Sequence, residues 1–154
     1  MRLTRQSSYA IRTLIYCAVN APGLSRIADI AKAHAISELF LFKLIKPLVE
    51  AGLLETVRGR KGGIRLGRPA SDITLLDTIK LTEDGFAMAE CFEGSDVTCP
   101  LVDACDLNAA LREALGAFFD VLDGYTIADL ADKRRSLRER LGLDLGELTA
   151  AAAH

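Results

Sequence analysis

The sequence has no long apolar run. Its longest hydrophobic stretches fall far short of the roughly 20 residues that a membrane-spanning helix requires. The N-terminal stretch MRLTRQSSYAIRTLIYCAVN begins basic and turns amphipathic, with no continuous apolar segment before a small-residue cleavage site. It therefore does not resemble a secretory signal. These absences predict a soluble cytoplasmic protein that does not associate with a membrane.

Histidine is scarce, and the motifs of common enzymes are absent. The two histidines are His34 and His154. The sequence has no nucleotide-binding loop, no catalytic Ser-His or Cys-His set and no second cofactor motif. We therefore predict that the chain is not an enzyme.

The net charge of −2 hides a strong asymmetry between the two halves of the chain. Residues 1–68 hold 12 Lys and Arg against 4 Asp and Glu, a balance of +8, and the remaining residues hold 7 against 17, a balance of −10. A basic first half and an acidic second half predict that only the first half meets an anionic partner. Nucleic acid is the obvious candidate.

Apolar periodicity in the first half predicts three helices. The first ends at the breaker Asn20-Ala21-Pro22-Gly23. Ser25 is the predicted N-cap of a short second helix, and Ser37 caps a third that ends before Gly52. Two helices joined by a turn of about three residues are typical of a helix-turn-helix. The following segments LLETV, RGRKGG and IRL predict two strands joined by a basic, glycine-rich turn. We therefore predict a mostly α fold with a small β-hairpin wing, in which residues 1–68 form a winged helix-turn-helix.

The third helix carries predicted DNA contacts. Its predicted buried stripe is Phe40, Leu44, Ile45 and Leu48, and its predicted outward residues are Glu38, Leu39, Phe42, Lys43 and Lys46. An outward face that combines Lys with Leu and Phe suits a major groove, where amines reach phosphates or guanine and apolar groups touch thymine methyls. The alternative is that Leu39 and Phe42 belong to a wide core stripe.

The predicted wing tip is the second DNA-binding element. Arg58, Arg60 and Lys61 lie among glycines with no apolar anchor, so we expect them to reach a minor groove or the phosphate backbone. The alternative is a solvated turn. With the helix, the predicted DNA-binding residues are Ser37, Leu39, Phe42, Lys43, Lys46, Arg58, Arg60 and Lys61.

The second half predicts a connecting helix at 69–85, a cysteine segment at 86–106, a long and a terminal helix at 107–140, and a mobile tail at 141–154. The long helix has an apolar stripe at steps of three and four: Leu107, Leu111, Ala114, Leu115, Phe118 and Leu122. A stripe outside the core of so small a domain is most simply buried against a second copy of the chain. We therefore predict a homodimer, whose recognition helices would lie about 34 Å apart on an inverted-repeat double-stranded DNA operator.

Three of the four cysteines lie within fifteen residues: Cys91, Cys99 and Cys105. Seven and five residues separate them, whereas zinc knuckles usually place paired ligands two to four apart. Long acidic loops between thiols fit a larger inorganic body, such as an iron-sulfur cluster. Three unrelated buried thiols and a disulfide redox switch remain as alternatives. Cys17, alone in an apolar helix, is predicted to be a core residue.

A cluster on three thiolates leaves its fourth position to another ligand. We interpret both histidines as bystanders. The remaining candidates are Asp103, Asp106, a residue of the partner subunit or a small exogenous molecule. An iron without a thiolate is the weak point of such a cluster, so this site suits sensing better than electron transfer.

Four segments occur along the chain in this order: MRLT, SRIADIAKA, SELFLFKLIKPLVEAGLLETVRGRKGG and AECFEGSDVTCPLVDACDLNAAL. Through them nearly the whole chain resembles the Rrf-type winged-helix regulators, the family of IscR, NsrR and RirA. FAMAECFE, CPLVDAC and GYTIADL are most similar to the rhizobial iron regulators, the RirA branch. The resemblance implies a [4Fe-4S] rather than a [2Fe-2S] cluster on Cys91, Cys99 and Cys105. It also implies that the cluster-bound dimer represses iron-uptake genes, and that loss of the cluster releases the operator.

Two departures separate the chain from other branches of that family. Regulators of cluster assembly, similar to IscR, have a histidine ligand where this chain has Asn108. Nitric-oxide sensors similar to NsrR use an aspartate of the partner's first helix where this chain has Ser8. A regulator of cluster assembly or of nitric-oxide or redox stress remains the alternative function. An iron-sulfur electron carrier is the alternative of another class, and a reversible one-electron potential without DNA affinity would favour it.

Overall fold

A computed structural model describes residues 2–89, 99–100 and 105–143 of the chain. As predicted, this part is mostly helical with one two-stranded antiparallel hairpin. Its elements are α1 (Arg5–Asn20), α2 (Ile27–His34), α3 (Glu38–Glu50), β1 (Leu54–Val57), β2 (Gly63–Leu66), a 3-10 turn (Ala70–Asp72), α4 (Leu75–Thr82), α5 (Asp106–Asp123), α6 (Ile127–Ala131) and α7 (Arg134–Leu141). None of these described helices combines the length and the apolar composition needed to span a membrane.

Helix α1 lies at the centre of the core because one of its faces is apolar along its whole length. Thr4 caps its start by accepting a hydrogen bond from the backbone N–H of Ser7 at 3.4 Å. Ala10, Leu14 and Val19 are fully buried along this face. Helix α1 contacts α2, α3, β2, α4, α6 and α7, so it positions the elements on either side of the molecule.

The turn of the helix-turn-helix is closed by a left-handed residue. Ala35 adopts a φ of +52°, and the N–H of the following Ile36 donates to the carbonyl of Ala31 at 2.9 Å. This hydrogen bond completes a Schellman closure of α2, for which glycine is the usual left-handed residue. Ile36 is buried and anchors the turn in the core before α3 begins.

The hairpin β1–β2 forms the wing, as predicted, and a backbone bridge attaches it to the helix-turn-helix. Leu54 lies opposite Leu66 in the antiparallel register. Ser25 pairs with Ile64 through two backbone hydrogen bonds of 2.9 and 2.8 Å. The prediction that Ser25 caps α2 is therefore wrong, because its backbone belongs to this bridge and Arg26 occupies the N-cap position.

Helices α4 and α5 carry the chain out of the winged domain. Helix α4 begins at Leu75 after its N-cap Thr74, whose hydroxyl forms a reciprocal capping box with the Asp77 carboxylate. Helix α5 contacts α4, and the ring of Phe119 meets Phe86 edge-on at 4.9 Å and lies 5.4 Å from Lys80 Nζ. No residue of α5 is fully buried, so this helix contributes little to the core of a single chain.

Helices α6 and α7 return to pack on α1. Ile127 is fully buried in the core cluster that contains α1, α2 and α3, and its N–H donates to the carbonyl of Ile73 at 2.9 Å. From α7, Arg134 Nε and Arg138 Nη1 donate to the carbonyl of Val19, at 3.0 and 3.1 Å. The last helices thus complete the core that the first half begins.

Candidate functional site

Helix α3 presents a mixed basic and apolar face to solvent. Its buried residues are Leu41, Leu44, Ile45 and Leu48, which recur at helical spacing and face the core. The predicted outward residues Glu38, Leu39, Phe42, Lys43 and Lys46 are all exposed, with Leu39 at 68% and Phe42 at 56%. Leu39 and Phe42 are therefore not core residues. Ser37 is the N-cap residue, and its hydroxyl makes no capping hydrogen bond.

Phe40 does not lie in the buried stripe, contrary to the prediction. It is half-buried, and its ring packs edge-on against Tyr9 of α1 with the ring centroids 5.4 Å apart. Leu41 occupies the buried position because it begins the spacing that Leu44, Ile45 and Leu48 continue. Phe40 lies at the edge of this stripe, where its ring joins α3 to α1.

The wing tip projects three exposed cations: Arg58, Arg60 and Lys61. Gly59 has a φ of +116°, and a Cβ at Gly62 would lie 2.3 Å from the carbonyl oxygen of Val57, so the tight turn requires glycine at both positions. Within the described residues none of the three cations forms an ion pair, whereas Arg65 pairs with Glu55 at 3.0 Å. The tip is therefore rich in uncompensated positive charge.

The cysteines fall into two environments. Cys17 is buried in α1 as predicted, and burial raises the pKa of its thiol to about 12, which makes it a poor metal ligand. Cys99 is exposed, and Cys105 is the half-buried N-cap residue of α5, with no capping hydrogen bond to its side chain. Cys91 lies outside the described residues. Over the described ranges, no three metal-ligating side chains come together.

The residues considered in relation to the fourth ligand lie in different environments. The side-chain oxygen of Asn108 accepts a hydrogen bond from Arg112 Nε at 2.7 Å. His34 is half-buried with its ring 6.1 Å from that of Tyr16, in the helix-turn-helix. Ser8 is half-buried on α1, and Asp106 is exposed in the first turn of α5. The candidate ligand Asp103 lies outside the described residues, as does His154, which we interpret as a bystander.

Helix α5 exposes a stripe of apolar side chains at heptad spacing: Leu107, Ala110, Ala114, Ala117 and Val121. Leu107 is 63% exposed and Val121 is 60% exposed. The other residues of the predicted stripe are half-buried: Leu111, Leu115, Phe118 and Leu122. We name the five exposed residues the α5 exposed stripe.

Sequence reasoning missed a basic cluster at the start of α1. Arg2, Arg5 and Arg12 line an open cavity of about 520 Å³ together with Ser8 and Tyr9. The available signal was the spacing of Arg5 and Arg12, since residues seven apart lie on the same face of a helix. We name the three arginines the α1 arginine cluster.

These elements match one family over most of the chain. Residues 3–133 match Rrf2, described as an iron-dependent transcriptional regulator. The chain belongs to the Rrf2 family. Protein aau3 of Rhizobium meliloti (strain 1021) is 63% identical to it over 144 residues, covering 94% of each chain. The HTH-type transcriptional regulator NsrR of Bacillus subtilis (strain 168) is 41% identical over 142 residues, covering 92% of this chain and 97% of NsrR.

Solved structures of Rrf2 regulators share this fold. CymR (YrzC), the global cysteine regulator of B. subtilis, superposes with a TM-score of 0.68 and 28% identity, covering 86% of this chain and 97% of CymR. IscR of T. potens superposes with a TM-score of 0.70 over 86% of this chain and 87% of IscR, at 24% identity, which shows the fold alone. The predicted winged-helix fold is confirmed.

Membership of the Rrf2 family confirms the coarse functional prediction. Its family and relatives are transcriptional regulators, so the chain is a DNA-binding transcriptional regulator and not an enzyme. The resemblance to Rrf-type regulators is likewise confirmed, and the relative from Rhizobium meliloti agrees with the rhizobial branch named from the sequence. The individual DNA contacts, the cluster ligands and the homodimer stay predictions.

Proposed function

We propose that this Rrf2 regulator is an iron-responsive repressor. Loaded with an iron-sulfur cluster, it binds an inverted-repeat operator as a homodimer, and it releases the operator when the cluster is lost. The observation that carries this proposal is the exposed face of α3, where Leu39 and Phe42 project into solvent beside lysines in a family described as iron-dependent. Large apolar side chains exposed on one surface usually mark a binding site.

In this proposal α3 enters the major groove and the wing contacts the flanking backbone. Lys43 has no ion-pair partner among the described residues and is free to reach phosphate or guanine, whereas Lys46 forms a weak exposed pair with Glu50 at 3.8 Å. Leu39 and Phe42 would contact thymine methyl groups, and Ser37 would hydrogen-bond at the groove edge. On the wing, Arg58, Arg60 and Lys61 would bind phosphates or the minor groove.

The homodimer would bury the α5 exposed stripe. Exposed residues at alternating steps of three and four form the seam through which two helices pack by knobs into holes. The alanines of the stripe allow the two helices to approach closely, and Leu107 and Val121 supply the larger apolar contacts. A two-fold axis through this contact would orient the two α3 helices toward successive major grooves.

The three thiols Cys91, Cys99 and Cys105 would hold the cluster, a [4Fe-4S] rather than a [2Fe-2S] centre. The donor set fits, since Cys99 is exposed and the Cys105 side chain is not used as a helix cap. The positive end of the α5 dipole favours negative charge at Cys105. The bound cluster would supply an iron site that cellular iron supply and oxidants can empty. A residue of the partner subunit or a small exogenous molecule would complete its coordination.

Cluster binding would control DNA binding through the position of α5. Cys105 occupies the N-cap position of α5, so a ligand that joins Cys105 to Cys91 and Cys99 would fix the start of the α5 exposed stripe relative to these thiols. A cluster that binds this arrangement better than any other would shift the population toward the dimer geometry that fits the operator.

The test uses protein purified without oxygen, with iron, sulfide and visible absorption measured on the sample used for DNA binding. We expect Cys99→Ala to lose the cluster absorption and to weaken operator binding by roughly 5- to 150-fold, the usual range of coupling between two sites. Cys17→Ala is the matched control, since Cys17 is buried in α1 and should leave both readouts unchanged. Tight, iron-independent operator binding by Cys99→Ala would contradict the proposal.

A regulator that responds to nitric oxide is the second candidate, because NsrR of Bacillus subtilis is 41% identical to this chain. The same anaerobic sample distinguishes the two signals. An iron sensor releases its operator when an iron chelator removes the cluster slowly, whereas a nitric-oxide sensor releases it on addition of stoichiometric nitric oxide before iron is lost.

A further inference from the structure

The α1 arginine cluster concentrates positive charge on a concave surface. Arg2, Arg5 and Arg12 are all exposed around the cavity of about 520 Å³, and no carboxylate of a described residue lines it. None of the three forms an ion pair with another described residue, although three other surface arginines do: Arg65, Arg68 and Arg135. The described part of the chain therefore leaves this group of charges uncompensated.

The carboxylate next to the start of α1 is already engaged elsewhere. Glu83 Oε1 accepts hydrogen bonds from the backbone N–H of Thr4 at 2.7 Å, from its hydroxyl at 3.1 Å, and from the hydroxyl of Ser7. This carboxylate satisfies the positive end of the α1 dipole, and it is not paired with an arginine of the cluster. The cluster thus presents side-chain charge for an anion that comes from outside the chain.

The cluster lies directly beside the recognition helix. The ring of Tyr9 packs against Phe40 of α3 with the ring centroids 5.4 Å apart, and the guanidinium of Arg12 lies over the Tyr9 ring, 5.8 Å from its centroid. Arg12 also acts on His34 at the end of α2. Burial of the imidazole is the larger cause that lowers its pKa, and the positive charge of Arg12 is the second. Arg12 is therefore close to both helices of the helix-turn-helix.

We infer that the α1 arginine cluster binds backbone phosphates of the operator, on the flank of the bases that α3 reads. This inference rests on the proposed DNA-binding face of α3. Arginine suits the role because its planar guanidinium can donate two hydrogen bonds to one phosphate. The contact between Tyr9 and Phe40 joins the start of α1 to α3, so a duplex seated on α3 would bring its flanking backbone toward the arginines.

Phosphate binding by the cluster would add affinity without adding base specificity. Each phosphate neutralised by a cation contributes about 0.9 to the slope of log affinity against log salt concentration. Two arginines in each of two subunits would therefore account for about 3 to 4 of that slope. Preference among operator sequences would stay the same, because phosphates carry no direct sequence information.

The test compares Arg5→Gln/Arg12→Gln with Arg135→Gln/Arg140→Gln in the cluster-loaded full-length protein. The second pair is the matched control, because it removes the same charge from exposed positions of α7, a helix that packs at the opposite end of α1. Each protein is titrated over a range of salt against two duplexes. One duplex ends with the inverted repeat, and the other extends it by about one helical turn, some ten base pairs, on each side.

We expect the α1 double variant to lower the salt slope by about 3 to 4 on the extended duplex and to differ little from the wild type on the short one. An unchanged slope, or an equal loss in the α7 control, would overturn the inference. Weaker dimerisation of the α1 double variant in sedimentation would also overturn it, because the arginines would then bind the acidic half of a second copy of the chain. A wild-type protein that binds neither duplex contradicts the proposed function, whereas normal wild-type binding with an unchanged slope in the variant contradicts this inference alone.

Discussion

Arg138 offers a sharp test of how the last helix stabilises the first. Its side chain is 1% exposed and is the largest fully buried side chain among the described residues. Its Nη1 donates to the carbonyl of Val19 at 3.1 Å, in the last turn of α1. The substitution Arg138→Met keeps much of the apolar volume and a similar helix propensity while it removes the charge and the donors.

The magnitude follows from the contacts that the substitution removes. A hydrogen bond from a charged group is worth about 1.5 to 3 kcal/mol, and a cation at a helix C-terminus adds about 0.3 to 1 kcal/mol. Two effects reduce the loss, because methionine needs no desolvation of charge and because Arg134 Nε still donates to Val19 at 3.0 Å. We expect unfolding free energy to fall by about 2 kcal/mol, and the melting temperature by about 4 to 8 °C in a chain of this size.

Urea denaturation followed by circular dichroism measures this loss. Arg140→Met is the control, since Arg140 is exposed on the same helix and should change stability by less than about 0.5 kcal/mol. An equal loss in both variants would show that the effect comes from α7 itself rather than from the contact with α1. A loss below about 0.5 kcal/mol in Arg138→Met would refute the reasoning outright.

Two further predictions concern the first helix and the turn. Partial burial alone would raise the pKa of Glu83, but hydrogen bonds from Ser7 and Thr4 outweigh it and lower that pKa below its ordinary value of 4.5. Its stabilising effect is thus present above about pH 4.5 and is lost as the pH falls through the lower folded value. Melting curves from pH 6 to pH 3 should show this loss in the wild type, and a smaller one in Glu83→Gln, which should be less stable at pH 6 by about 1 kcal/mol. Ala35→Gly should raise the free energy of unfolding by about 0.5 to 1 kcal/mol, and with it the urea midpoint, because the left-handed φ of +52° strains alanine but not glycine. A lower midpoint would contradict this account.

The helix-turn-helix and the wing were predictable because their signals are local. The breaker Asn20-Ala21-Pro22-Gly23 ends α1, and the glycines of the RGRKGG turn shape the hairpin, and each signal acts on residues only a few positions away. The exposure of Leu39 and Phe42 could not be predicted with the same ease. A wide apolar stripe and a stripe with exposed apolar neighbours have the same sequence pattern, and only packing against α1 distinguishes them.

Two features were missed because they depend on distant partners. Ser25 has the composition of a helix cap, yet its backbone pairs with Ile64 of the wing. The arginines of the α1 arginine cluster looked like part of a general positive balance until folding brought them to one cavity beside Phe40. The iron-sulfur site on Cys91, Cys99 and Cys105 stays a prediction from the sequence, because Cys91 lies outside the described residues.

By itself the sequence determined the helices of the first half and the basic wing, because helical periodicity, chain breakers and glycine turns act over a few residues. Only the tertiary structure decided which side chains α1 uses to join the two ends of the chain. Thr4 meets Glu83 across 79 positions, and Val19 meets Arg138 across 119. Such contacts arise when buried apolar faces bring distant polar groups together, and no local pattern specifies which carbonyl or amide a given charge will reach.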